Sequence, residues 1–401
     1  MQISYIGMQT AEVAIAPNIR VILKTDSKAL DEVVVVAYGT QSARTVTASV
    51  STVRADALKD VPSVSFDQML QGRASGVSIT TPSAGVGQAP IVRVRGVNSI
   101  TSGTSPLYVV DGVPIESGNL SYLANANALA DINPADIVSM DVLKDAAAAA
   151  LYGSRAANGV ILITTKQGQS GKVKVSYDGF VGFKNLAVKN RYGTDELSLT
   201  TGYVSPYGNK AFNMMKDANG NYVDTDWKDA AFQNGLSQSH SVAVSGGSDK
   251  VRYYLSGNYT TQEGIVKGDK YDRLGVKANI NVQATDWLKV GMNTNVTTGT
   301  TSYVDAARRG SNFAVGGFPR LALINAPNLP MYNEDGTPYY LAQGLGYGGN
   351  TVFSTFSNPA AILSLGNGLS SDVTRFIGVF YAEATPLKGL SLKTQYGVDY
   401  A

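Results

Sequence analysis

From residue 172 onward, apolar and polar positions alternate along the chain. Val173, Val175, Tyr177, Val181 and Phe183 alternate with Lys174, Ser176, Asp178, Gly182 and Lys184, with Gly179 and Phe180 interrupting. Val242 and Val244 face Ser241 and Ser245; after a GGSDK turn, Val251, Tyr253, Leu255 and Tyr259 face Arg252, Ser256, Asn258 and Thr260. The same alternation runs through Leu274 to Gln283, Leu288 to Val296, Phe376 to Ala384 and Leu390 to Tyr400. A period of two residues is that of a strand with one face covered. It predicts seven strands of about ten residues, apolar on one side and rich in Asn, Gln, Lys and Arg on the other. Tight turns (Gly246 to Lys250, Thr285-Asp286) alternate in part with long insertions (Leu186 to Leu236, Thr298 to Asp372). A membrane barrel has that asymmetry. A soluble β-sandwich shows the same alternation, so the pattern alone leaves both readings open.

The preceding part of the chain has a different texture. Val33 to Val36 is an unbroken β-forming run, which as an exposed edge is an aggregation hazard unless a partner strand covers it. Residues 66–70 predict a short helix, followed by a strand after Gly72 and Gly76. In IVRVRGVNSI, Val92 and Val94 alternate with Arg93 and Arg95, which places the arginines on a wet face. LYVVDGVPI predicts a buried strand closed by an Asp-Gly turn. Val138, Met140 and Val142 alternate with Ser139, Asp141 and Leu143. An alanine run, Ala146 to Ala150, then predicts a helix, with Asp145 at its start and Gly153 at its end. Gly159 opens a last strand, Val160 to Thr165.

Composition changes the picture mainly by exclusion. The chain has 401 residues, enough for two or three domains, and a net charge of +2, which implies no nucleic-acid partner. With no cysteine there is no thiol catalysis, thiolate metal site or disulfide. No run of about 18 apolar residues exists, so no transmembrane helix is expected; membrane strands need no such run.

Candidate chemistry is sparse. His240 is the one histidine and has no acidic cluster at ligand spacing. No nucleophile elbow is present. Gly85-x-Gly87 lacks the third glycine and the helix that a phosphate loop needs. DANGNYVDTDW carries Asp217, Asn219, Asn221, Asp224 and Asp226, but Tyr222 and Lys228 stand where a calcium loop requires Gly and Glu. A hairpin turning at Asn219-Gly220 is the simpler reading. Arg308 and Arg309 sit in a loop, as do Tyr303, Phe313, Phe318, Tyr339, Tyr340 and Tyr347, aromatics suited to stacking on sugars or to packing the loops. No enzyme, cofactor or metal site is expected.

LYVVDGVP at 107–114, followed by VLKDAAAAALYGSRAANGVILITTK, resembles the plug domain of TonB-dependent outer-membrane transporters of the SusC/RagA type. DEVVVVAYG resembles the TonB box of that family, with Ala37 where a glycine is usual, and HSVAVSGGSDKVRYYLSGNYTTQEG resembles its first barrel hairpins. SYIGMQTAEVAI resembles the end of a carboxypeptidase-regulatory-like N-terminal extension.

The resemblance implies an α+β plug followed by an incomplete antiparallel transmembrane β-barrel. It divides the chain into an extension remnant (1–26), a TonB-box segment (27–40), a plug (41–170) and the N-terminal part of a barrel (171–401). It implies TonB contacts at Asp31, Glu32, Val33, Val34, Val35, Val36, Ala37 and Tyr38. It marks Arg93, Arg95, Gly96, Asp111, Gly112, Lys144, Asp145, Tyr152, Gly153, Arg155, Asn158 and Gly159 as plug-motif positions. It further implies outer-membrane import of a glycan or peptide, driven by TonB with ExbB and ExbD, with a SusD-like lipoprotein and outer-membrane lipid as partners. Seven strands cannot surround such a plug, since plugged barrels have about 22. The chain is therefore expected to lack most of the barrel and to start mid-domain. Two alternatives stand beside this reading: a TonB-linked signalling receptor, and a soluble β-rich binding protein whose apolar strand faces meet each other.

Overall fold

The computed structural model describes residues 2–3, 11–12, 33–36, 39–42, 50–54, 65–81, 85–87, 89–97, 103–117, 129–144, 150–187, 219–221, 223–304, 330–339, 358–364 and 368–401, with positions 319, 322, 346–347 and 350–351. Two short antiparallel pairs come first. β1 (Gln2–Ile3) pairs with β2 (Ala11–Glu12), and β3 (Val33–Val36) pairs with β4 (Gly39–Ser42). The strand expected at Ile19 to Leu23 lies outside the described residues.

A five-stranded sheet follows. Its strands are β5 (Val50–Arg54), β8 (Leu107–Val110), β9 (Val113–Ile115), β10 (Ile137–Leu143) and β11 (Val160–Thr165), after β6 (Val77–Thr80) and β7 (Ile91–Val94), which form a pair of their own. The order is β5-β10-β11-β8-β9, and only β11 and β8 run parallel. The sheet is covered on both faces. Tyr108, Val110, Met140, Val142, Ile161 and Ile163 join Phe66 and Leu70, from α1 (Phe66–Met69) and its C-cap, together with Val92 and Val94 from β7. Leu107, Val109, Leu143, Val160 and Leu162 pack with Ala156 on the other side. This corrects the alternation expected for β10, where Met140 through Leu143 are all buried. Strands buried on both faces lose the alternating signature.

The helix expected over Ala146–Ala150 falls on residues that, apart from Ala150, lie outside the described ones. Residues Ala150–Ala156 form 3₁₀ turns, kinked at Gly153 with φ 68°. Gly159, at φ 90°, is required where it stands: a Cβ there would lie 3.1 Å from Val94 and 3.2 Å from the Leu143 carbonyl.

The second sheet has seven strands: β12 (Gly171–Lys184), β13 (Gly235–Gly247), β14 (Val251–Glu263), β15 (Lys270–Thr285), β16 (Leu288–Val304), β19 (Gly368–Leu387) and β20 (Leu390–Tyr400), all antiparallel neighbours in chain order. β17 (Gly346–Tyr347) and β18 (Asn350–Thr351) pair within the insertion between β16 and β19. β12 runs unbroken through Gly179 and Phe180, where the apolar alternation lapses. The second insertion is shorter than expected, because β16 and β19 stay paired out to Val304 and Gly368. Thr297 to Thr301 keeps the strand going without apolar residues, since threonine is β-branched.

The faces of this sheet settle its surroundings. Val242, Leu255, Leu274, Val276, Val296 and Phe380 point outward and are exposed. Ser241, Asn258, Arg273, Lys277, Asn279 and Arg375 point inward and are buried. On β19 the outward row runs Ala384, Ala382, Phe380, Gly378, Phe376, Thr374. At about 3.3 Å per residue and a tilt of about 40°, that row is roughly 25 Å tall, the height of an outer-membrane apolar band. No described helix is long and apolar enough to cross a membrane.

Beyond the far rim, α2 (Trp227–Ala231), α3 (Pro359–Ser364) and the loops around Val266 and Tyr339 pack into a small core. Asn358 fastens it, donating to the carbonyls of Met331 and Tyr339 at 2.7 and 2.9 Å.

Candidate functional site

The five-stranded unit sits against the inward face of the seven-stranded sheet, and the joint between them is polar. One short segment, Leu129 to Asp136, makes most of it. Asn133 starts the 3₁₀ turn Pro134–Asp136 by accepting from the Ala135 N–H. It also donates to Ser241 on β13 at 3.0 Å. Asp136 accepts from the Tyr254 and Ser256 hydroxyls on β14 at 2.7 and 3.0 Å. The Ala130 carbonyl accepts from Arg273 on β15. The Asp131 carbonyl accepts from Asn295 and Thr297 on β16 at 3.1 and 3.0 Å. The Asp131 carboxylate lies 3.5 Å from Arg375 on β19. Five neighbouring strands thus hold eight consecutive residues.

A second contact is built on the Asp-Gly turn. Asp111 and Gly112 both adopt left-handed backbone angles, φ 49° and 89°, as a two-residue hairpin turn demands. The turn turns β8 back into β9 and leaves the Asp111 carboxylate accepting from the Thr165 N–H at 2.9 Å and the Thr165 hydroxyl at 2.6 Å. Asn293 on β16 donates to the same carboxylate. The Asp111 carbonyl accepts from Gln395 on β20 at 3.3 Å. Beside it, Gly397 lets β9 approach the wall; a Cβ there would collide with Val113.

Charge is concentrated at the outer end. Arg375, 1% exposed, bonds Asp399 through two nitrogens at 2.7 and 2.6 Å and the Glu116 carbonyl at 2.7 Å. Asp399 accepts in turn from the Glu116 N–H at 2.9 Å. Such a bidentate pair is geometrically strict. Asp131 is the loosely held member. Desolvation pushes its carboxyl up to about 6, against the pull of Arg375 and Arg273. The arrangement offers hydrogen-bond exchange, not covalent chemistry, and no metal-binding cluster occurs among the described residues.

Residues 42–160 match the family described as the TonB-dependent Receptor Plug Domain. The chain is 36% identical to TonB-dependent receptor SusC of Bacteroides thetaiotaomicron over 360 residues, 89% of this chain and 34% of SusC. It is 35% identical to TonB-dependent receptor P26 of Formosa agariphila over 99% of this chain and 38% of that protein. Residues 42–160 thus belong to the TonB-dependent receptor plug family, and nearly the whole chain is similar to SusC/RagA-type TonB-dependent outer-membrane proteins. The RagAB peptide importer in its open-open state superposes with a TM-score of 0.70 at 26% identity, covering 92% of this chain and 42% of that one. The chain thus spans little more than a third of the length of the curated relatives it matches. The five-stranded unit is a plug, and the seven strands are part of a barrel.

Among the plug-motif positions, Asp111 reaches the barrel through hydrogen bonds from Asn293 and Gln395, and Gly112 lies beside the Gln395 side chain. Lys144 bonds Ser51 and Ser75 within the plug, the latter at 2.9 Å. Asn158 donates to the Gly103 carbonyl at 2.7 Å. Arg93 is half-buried in β7, while Arg95 and Gly96 form an exposed turn at φ 58° and 97°. Tyr152 packs on the second plug core, and Arg155 is exposed. Asp145 lies outside the described residues, as do Asp31, Glu32, Ala37 and Tyr38. Val33 to Val36 form β3, each opposite a residue of β4.

Other positions fall into structural roles. Gly85 to Gly87 is a turn against the wall, where a Cβ on Gly87 would lie 3.0 Å from Tyr271. Asp226 accepts from the Lys228 N–H at 3.1 Å and so caps α2. His240 bonds the Tyr177 hydroxyl at 2.7 Å on the outward face. Tyr339 is buried in the loop core, while Arg308, Arg309, Phe313, Phe318 and Tyr340 lie outside the described residues. Asp131, Asn133, Asp136, Lys277, Asn293 and Arg375 are seam residues that the motifs do not mark. Their signal is faint: cations and asparagines on the polar register of strands, opposite a short N-P-x-D turn.

Proposed function

We propose that the chain is the plug and first barrel strands of a TonB-dependent importer that carries a large nutrient across the outer membrane. The polar seam carries this reading. A plug held by hydrogen bonds to a wettable wall can leave and return, because water replaces each bond, whereas an apolar joint would expose core on opening. The TonB-box segment precedes β5, an edge strand that among the described residues pairs only with β10. Force on Asp31 to Tyr38 would reach the plug there first, after TonB had added a strand to the segment. The remaining TonB-linked parts, ExbB and ExbD, would supply that force.

RagAB is a peptide importer, so a peptide cargo fits this chain as well as a glycan. A SusD-like lipoprotein at the external rim belongs to the same reading. The test is a titration of a peptide covering Lys28 to Thr40 against the periplasmic domain of TonB from the same organism, beside a Val34→Pro peptide. Saturable binding by the first alone is expected, since proline removes a backbone donor. No binding by either would overturn the TonB contact.

A further inference from the structure

Lys277 is the buried cation of the seam that the outer charge cluster does not explain. It stands on the inward face of β15 and is 4% exposed. Its ammonium donates to the Thr165 hydroxyl at 2.8 Å and to the Asn293 side-chain oxygen at 2.7 Å. Both acceptors are neutral, and among the described residues Lys277 makes no direct ion pair. Yet a buried ammonium needs a compensating charge. The compensation lies one bond further out. Thr165 and Asn293 each donate onward to one carboxylate oxygen of Asp111. Lys277 also lines a small cavity together with Asp111, Asn133 and Asp136. Both carboxylates belong to the plug, while the cation belongs to the wall.

We propose that Lys277 is the positioning residue that seats the plug, its charge balanced by Asp111 through Thr165 and Asn293. Only one register of plug against wall places Asp111 at the end of that relay. A plug shifted out of that register takes Thr165 away from the ammonium and leaves Asp111 without its cation. The relay is a closed loop of four side chains, three from strands and one from a turn, so it has little freedom to adapt. Its meaning for transport rests on the gating reading, but its test involves no TonB, so the two fail separately.

The test is Lys277→Met in the complete protein in its own outer membrane, read by entry of an antibiotic too large for the general porins and by protease cleavage of the plug in membrane vesicles. Barrel assembly is checked by heat-modifiable gel migration. Lys277→Met is expected to raise antibiotic entry and plug cleavage at least several-fold. Adding Asp111→Asn to it is expected to increase both by less than Asp111→Asn does in the wild type, because the partners act as a unit. Wild-type behaviour of Lys277→Met, or strictly additive effects, would overturn the proposal. If Lys277→Met gives no assembled barrel, Lys277→Gln, which keeps a donor but no charge, is taken through the same cycle with the same deciding outcomes.

Discussion

The two sheets of this molecule use the same strand chemistry and turn it in opposite directions. The plug sheet hides Met140, Val142, Ile161 and Leu162 between two layers, as a water-soluble domain does. The barrel sheet shows Val242, Leu274 and Val276 to its surroundings and covers Asn258, Lys277 and Arg375. The plug therefore has its own apolar core, and the barrel wall depends on something polar to meet its inner face. A seam between two such bodies is made almost wholly of hydrogen bonds. Among the described residues the apolar crossings are small: Ile377, a wall residue, joins the plug core, and Tyr271 of the wall packs on Val86 and Ala130.

The largest effect is expected inside the plug. Phe66 is fully buried and meets Tyr108 edge-on at 6.1 Å. Phe66→Ala should cost about 3–5 kcal/mol, the usual range for truncating a buried aromatic. The plug should become protease-sensitive while the barrel keeps its heat-modifiable migration. Loss of both together would mean that the core is shared. On the other sheet, Val276→Arg puts a charge on the outward band, 56% exposed in the absence of lipid. A cost of about 2–4 kcal/mol is expected near the bilayer midplane. Folding titrations into lipid vesicles measure it, and a negligible cost would return the sheet to the soluble-sandwich reading.

Much of this contrast was legible in the sequence. Period-two alternation marked all seven wall strands, and LYVVDGVP marked the hairpin whose turn depends on Asp111 and Gly112. What alternation cannot say is which face meets water, because a sandwich and a barrel wall read alike. The structure answers it by exposing Val276 and burying its neighbour Lys277. The seam itself was out of reach. Asp111 meets Asn293 across 182 positions and Asp131 meets Arg375 across 244, with no periodicity linking them. NPAD carries no motif that marks it, although Asn133 and Asp136 in it bind two different wall strands.

A smaller effect separates seam from core. Asn293 donates to Asp111 and Thr165 and accepts from Lys277. Asn293→Ala leaves those partners buried and short of a bond, a loss of about 1–3 kcal/mol. Hydrogen exchange should quicken at Asp111 and Thr165, with the amides of β10 unchanged. Faster exchange across the whole plug would instead make Asn293 part of its core stability.

The smallest effect is also the one whose sign is least obvious. Asp131 faces Arg375 and Arg273, with Asp399 nearby, and from those two cations alone acid would loosen it. Desolvation is the larger influence and raises its carboxyl to about 6. Once the plug leaves the wall, that group returns to the ordinary carboxylate range near 4. The docked form therefore binds the proton more tightly. Docking is strongest below both values and weakens as pH rises from about 4 through about 6. Asp141, buried against Thr52, is also raised by desolvation, but it concerns the plug's own fold. Plug protection in membrane vesicles should thus be greater at pH 5 than at pH 7.5. Asp131→Asn should flatten that slope and protect the plug at the higher pH. A slope of the opposite sign in the wild type would mean that the pairing with Arg375, not burial, governs Asp131.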